Sequence, residues 1–125
     1  MDTKIRTFTD LKVWQEAHKL VLEIYKTTKD FPKEELFGLT NQIRRASVSI
    51  TSNISEGFNR NSYKEKLQFY YIALGSLAET ENQLLIARDI GYIKQAVFDK
   101  IQSQLVLTQK LLNGFIKSTR SFSGS

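Results

Sequence analysis

The sequence predicts an all-α fold: an antiparallel four-helix bundle in up-down-up-down order. Three observations predict it. Apolar residues recur at helical spacing through four long segments, short polar or turn-forming stretches separate those segments, and only one proline, Pro32, interrupts the chain. Short connections between long helices make sequential neighbours antiparallel. The helices are expected at about residues 10–29, 37–58, 63–90 and 95–117. Residues 1–117 then form one bundle domain, and residues 118–125 read as a flexible polar tail.

Thr9 or Asp10 can cap the first helix, and Phe31 with Pro32 stops it after about Lys29. At 100° per residue, Trp14, Ala17, Val21, Ile24, Tyr25 and Thr28 share a side. Lys12, Glu16, Lys19, Glu23 and Lys26 fall opposite, with alternating sign and i,i+4 spacing. Leu11, Val13, Leu20 and Leu22 widen the apolar arc beyond what one core face needs.

The second helix is the ambiguous element. The segment from Val48 to Ile54 partly alternates like a strand and is rich in β-branched residues. Leu39, Ile43, Ala46, Ile50, Ile54 and Gly57 nevertheless form a helical stripe over five turns, and a lone strand would have no partner. Length favours the helix. Asn59, Arg60 and Asn61 make the next turn, and Ser62 with Glu65 three residues on is a capping-box pattern.

The third helix is expected to bury Leu67, Tyr71, Leu74, Ala78 and Leu85, with Gly91 ending it. Phe69, Ile72, Ile86 and Ile90 lie behind this stripe. The surplus apolar arcs of the first and third helices imply a second buried face, hence self-association. The fourth helix carries Phe98, Ile101, Leu105, Thr108, Leu112 and Ile116 on its stripe.

The 125 residues suffice for one core, and 41% hydrophobic with 25% charged residues is ordinary for a globular protein. No cysteine is present, which removes disulfides, thiolate metal sites and cysteine nucleophiles, and fits a reducing cytoplasm. Residues 1–10 carry no apolar core of a signal peptide, and no apolar run approaches the ~20 residues of a membrane span.

The net charge is +5, concentrated at the ends: residues 92–125 hold five Lys/Arg against one Asp/Glu, and residues 1–33 seven against five. Such a balance permits contact with nucleic acid.

His18 is the only histidine, and it sits beside a charged face. A metal-binding carboxylate bundle wants Glu-x-x-His pairs, and none occurs. Neither a phosphate-binding Gly-x-x-x-x-Gly-Lys loop nor a Gly-x-Gly-x-x-Gly turn occurs. No enzyme class, cofactor or metal is therefore indicated.

Two features call for explanation. The segment from Gln42 to Arg60 is rich in poor helix formers. Either its small residues admit another helix closely, or Arg45, Ser49, Ser52 and Glu56 form a contact edge. Glu81 falls at the centre of the third helix's apolar stripe, so it is expected to be buried and paired, with Asn53, Gln42 or the arginines of the second helix as partners.

The motifs stand in a definite order: the run FTDLKVWQEA from Phe8 to Ala17, then Phe31-Pro32, Phe37-Gly38-Leu39, Gln42-Ile43-Arg44-Arg45-Ala46, Ser49 with Asn53, Glu56 and Gly57, Gly75 with Leu77 and Glu79, and Gly91-Tyr92. Together they closely resemble the four-helix bundle proteins encoded in intervening sequences of bacterial 23S rRNA genes, over residues 8 to about 117. The accessory proteins of diversity-generating retroelements, basic barrels that bind nucleic acid and a reverse transcriptase, are similar in fold. The resemblance implies a bacterial cytoplasmic homo-oligomer, typically a ring-shaped pentamer, that associates with RNA or DNA. This chain is less basic than the retroelement branch.

The expected contact surface is Lys100, Lys110 and Lys117, which fall within about 100° of one another on the fourth helix, opposite its core stripe. Arg44, Arg45 and Arg60 are the second candidate set. The alternative is a protein-interaction module whose lysines only keep it soluble.

Overall fold

The computed structural model describes residues 4–123. Among these it contains four long helices and no strand: α1 (Lys12–Thr28), α2 (Leu39–Phe58), α3 (Tyr63–Asp89) and α4 (Gln95–Ser123), with short 3-10 turns at Phe8–Asp10 and Lys33–Glu35. Each helix packs against two others in the cyclic order α1–α2–α3–α4, and the diagonal pairs α1/α3 and α2/α4 do not meet. The chain is thus a four-helix bundle. Contacts between α3 and α4 run in opposite sequence order: Tyr63 stacks on Phe122, Tyr71 bonds Arg120, and Glu81 bonds Gln102.

One core runs the length of the bundle. Leu20, Ile24, Ile43, Ile50, Ile54, Leu77, Leu84, Ile101, Leu105 and Leu112 are all fully enclosed. The expected stripes of α2 and α4 are the observed ones, apart from Leu39, which is only half-buried at the end of α2.

The ends of the elements differ from expectation for local reasons. Neither Thr9 nor Asp10 caps α1. The Asp10 carboxylate turns back to accept from the backbone N–H groups of Arg6 and Thr7, at 2.9 and 3.0 Å, and closes the preceding 3-10 turn. Leu11 is extended, and α1 starts at Lys12. Similarly, α2 starts at Leu39 rather than Phe37, because the Glu35 carboxylate accepts from Leu39 N at 3.2 Å. Ser62 does cap α3, accepting from Glu65 N at 3.1 Å.

Gly91 adopts φ +86°, the left-handed turn that side-chain-bearing residues avoid. It lets Tyr92 N reach Ala87 O at 2.8 Å and Gly91 N reach Arg88 O at 3.1 Å, the paired bonds of a Schellman end.

Residues 118–123 of the expected tail are helical. Thr119 is buried and donates to Phe115 O at 2.8 Å, so α4 overruns the predicted stop by a turn and a half. Residues 124 and 125 of the expected tail lie outside the described residues, as do residues 1–3 of the polar N-terminal segment. No helix among the described residues is long and apolar enough to cross a membrane.

The face of α3 is the main correction. Its buried residues include Leu67, Tyr70, Ala73, Leu77, Thr80, Leu84 and Ala87, not Tyr71, Ala78 and Leu85, which are exposed. The helix is turned by one position, about 100°, from the expected stripe. Apolar residues surround α3 almost completely, so periodicity alone does not choose a face. Small residues choose it: Ala73, Ser76 and Thr80 sit where α2 and α3 approach closely.

Candidate functional site

The small residues of α2 serve that approach. Ser76 and Ser49 hydroxyls bond across the seam at 2.8 Å. At Gly57 a Cβ would lie 2.5 Å from Tyr70 Cε1, so only glycine admits this ring. Buried hydroxyls answer the helix-propensity problem locally by donating to a carbonyl of the preceding turn: Ser47 to Arg44 O, Thr80 to Ser76 O, and Thr108 to Gln104 O. The outer edge of the same helix is also a surface, with Arg45, Ser52 and Glu56 exposed and Ser49 half-buried. Close helix approach therefore accounts for the inner side of the segment from Gln42 to Arg60, and its outer side is exposed.

The expected buried polar pair is corrected. Glu81 is half-buried and accepts from Gln102 Nε2 at 2.5 Å, because the rotation of α3 moves it to the α3/α4 rim. Asn53 is also half-buried and donates within its own helix, to Ser49 O at 2.8 Å and Ser49 Oγ at 3.0 Å.

The buried carboxylate is instead Glu16, which is 3% exposed. Lys19 Nζ donates to it at 2.9 Å, Lys12 Nζ lies at 3.4 Å, and Gln104 Nε2 reaches it from α4 at 3.2 Å. The Lys19 hydrogen bond, then the Gln104 bond, hold its pKa down to about 2 despite its burial.

The six basic candidates do not form one patch. Lys100, Lys110 and Lys117 are all exposed on α4. Lys100 turns toward α1 and lies 3.4 Å from Glu23, while Lys110 and Lys117 have no ion-pair or hydrogen-bond partner among the described residues. Arg44 is on the α1/α2 side, donating to Thr28 Oγ1 at 2.8 Å with its guanidinium 4.8 Å over the Tyr25 ring. Arg60, near the other end of α2, pairs with Glu56 at 3.1 Å and stacks 4.6 Å over Phe69. Arg45 is exposed on the outer edge of α2.

Sequence reasoning missed the lysines that adjoin the α4 line. A hollow of about 420 Å³ between α1 and the start of α4 is lined by Glu23, Lys26, Asp30, Tyr92, Lys94 and Lys100. Lys12 and Lys19 continue this basic rim along α1. Glu16, ion-paired with Lys19 at 2.9 Å and Lys12 at 3.4 Å, offsets part of their charge. His18 is exposed, stacked on Trp14 with ring centroids 4.7 Å apart. No group of three or more His, Asp or Glu residues able to hold a metal occurs among the described residues.

Fold and surface together define a helical bundle with a basic outer side on α1 and α4. Residues 9–114 match the family described as 23S rRNA-intervening sequence protein, and the chain belongs to that family. It is similar to a solved structure from Bacteroides thetaiotaomicron VPI-5482, described as a protein with unknown function from the S23 ribosomal protein family. The two share 27% sequence identity, with a TM-score of 0.75, over 84% of this chain and 98% of that one. No curated protein matches the chain.

Proposed function

We propose that this chain is a self-associating, non-enzymatic bundle protein of the cytoplasm that binds RNA or DNA through its basic outer surface, with little sequence preference. The observation that carries the reading is the pair Lys110 and Lys117, exposed on α4 without partners, with Lys100 on the same helix and Lys26 and Lys94 beside it. Lysines in this state contact phosphates as point charges, and repetition of the surface in an oligomer adds weak contacts as avidity. Membership of a family described by a ribosomal RNA intervening sequence supports the same reading. Among the described residues no aromatic ring lies over Lys100, Lys110 or Lys117, so base stacking is not part of the reading.

The test is binding of labelled RNA and DNA across a salt series, by the parent and by a variant with Lys100, Lys110 and Lys117 all changed to Gln. Each phosphate contact contributes about 0.9 to the salt slope for a duplex, so the triple variant should lose roughly 2–3 of it. An unchanged slope moves the site to Arg44, Arg45 and Arg60. Absence of binding by the parent at low salt rejects the reading.

One observation favours the alternative of a protein-interaction module. Leu36 and Phe37, 51% and 90% exposed, form an adjacent apolar pair on the α1–α2 connection, the kind of anchor that a protein partner buries.

A further inference from the structure

A second hollow, of about 440 Å³, lies between the end of α1 and the first turns of α2. Phe31, Pro32 and Leu36 give it an apolar wall, and the charged side chains that line it are all basic: Lys29, Lys33 and Arg44. The acids nearest in sequence do not balance them. Asp30 lines the other hollow, toward α4, and the Glu35 carboxylate is taken by Leu39 N and the Tyr92 hydroxyl. Glu34 is exposed and makes no ion pair among the described residues.

Two side chains in this hollow have unused hydrogen-bonding capacity. Arg44 is half-buried and held in one pose: its Nε donates to Thr28 Oγ1 at 2.8 Å, and its guanidinium lies 4.8 Å over the Tyr25 ring. Its two terminal amino groups have no partner among the described residues. A fixed, half-enclosed cation beside two more cations is a strained electrostatic arrangement that an anion relieves. Thr40 is 4% exposed and lines the same hollow, yet its hydroxyl makes no hydrogen bond among the described residues. Buried hydroxyls are normally bonded, most simply to a carbonyl of the preceding turn, as those of Ser47 and Thr80 are. Thr40 also stands in the first turn of the 20-residue α2, the end of a helix that favours negative charge.

Three cations and a free hydroxyl exceed what the single charge of a carboxylate would use. A phosphate monoester brings close to two charges at pH 7 and three acceptor oxygens. The apolar wall and the size of the hollow accommodate more than an inorganic ion. We propose that this hollow binds a phosphate monoester with an apolar or aromatic body, the phosphate held by Arg44, Thr40, Lys29 and Lys33 and the body set against Phe31, Pro32 and Leu36. The site is separate from the lysines of α4 and stands whether or not these bind nucleic acid.

The test is calorimetric titration of the full-length protein at low salt with phenyl phosphate, phenyl sulfate and inorganic phosphate. Phenyl phosphate should bind saturably and more tightly than either of the others, since the sulfate has one charge fewer and the inorganic ion has no body. Thr40→Val keeps the shape and removes only an unbonded hydroxyl. Its stability in urea should equal or exceed the parent's, while its affinity for phenyl phosphate falls about tenfold, the scale of one hydrogen bond to a charged group. Arg44→Gln should abolish binding, and Lys110→Gln should leave it unchanged. Absence of saturable binding, equal affinity for phenyl sulfate or inorganic phosphate, or a parental affinity in Thr40→Val and Arg44→Gln overturns the assignment. Displacement of phenyl phosphate by adenosine 5′-monophosphate alone points to a free small molecule as the natural source. Displacement by a 5′-phosphorylated oligonucleotide, and not by its 5′-hydroxyl twin, points to a nucleic-acid end.

Discussion

Gln104 of α4 donates one side-chain amide to two oxygens of Glu16 on α1, the backbone carbonyl at 2.8 Å and the carboxylate at 3.2 Å. This ties together helices 88 residues apart in sequence. The bond to the carboxylate is charge-assisted and largely shielded from water, conditions that strengthen a hydrogen bond and raise the cost of its loss.

Replacing Glu16 by Ala should destabilise the protein by about 1–3 kcal/mol, since Gln104 loses its side-chain acceptor at a closed seam. Urea unfolding measures it. Glu16→Gln keeps the shape and should cost less. Equal losses for the two variants would show that the charge rather than packing matters at this position.

The same residue sets an acid limit. Its pKa is about 2 in the folded protein against an ordinary 4.5. A depressed folded pKa contributes stability that is fully present above about 4.5 and is lost as pH falls from there toward 2. The melting temperature should therefore drop across that window. Glu16→Gln should make the drop shallower, and a parallel curve would reject the assignment.

Gly57→Ala should destabilise by about 1–3 kcal/mol, the usual effect of overpacking. A methyl group there runs into the Tyr70 ring, which is itself held against Phe115 at 4.8 Å between centroids. The midpoint of urea unfolding should fall while the slope stays constant. A stability equal to the parent's would mean that the ring can move aside.

A chain ending after Lys117 should lose about 1 kcal/mol, the scale of one aromatic pair. It forfeits the Tyr63–Phe122 stack, the Arg120 bond to the Tyr71 hydroxyl and the burial of Thr119. A frayed tail would cost nothing, so thermal melting of the truncated chain decides between the two.

Much of this bundle is legible in the sequence where one stripe is apolar and its reverse is polar. Phe98 through Ile116 on α4 and Ile43 through Gly57 on α2 are such cases, and both stripes are buried. On α3 the pattern has no contrast, and the face is set by the needs of α2, a non-local fact. Glu16 was misread for a related reason. Its spacing to Lys12 and Lys19 is that of a solvated ion-pair row, and only the arrival of Gln104 from α4 encloses it. The basic candidates were legible as exposed charges. Their grouping was not, since it depends on which helices are neighbours: Lys26 and Lys94 join Lys100 only because α1 lies against α4.

Trp14 is the only tryptophan in the chain, half-buried between the Phe8 ring at 5.5 Å and the His18 imidazole at 4.7 Å. Phe8 belongs to the 3-10 turn and His18 to α1, so the indole is clamped between the leading turn and the helix it introduces. The molecule thus carries its own optical probe at one defined end. Any event that lifts the leading turn off α1 exposes the indole to water and shifts its emission to the red, while unfolding elsewhere that leaves this clamp intact goes unseen. Fluorescence and circular dichroism therefore watch different parts of the same bundle, and their agreement or divergence on melting tells whether it comes apart as a unit.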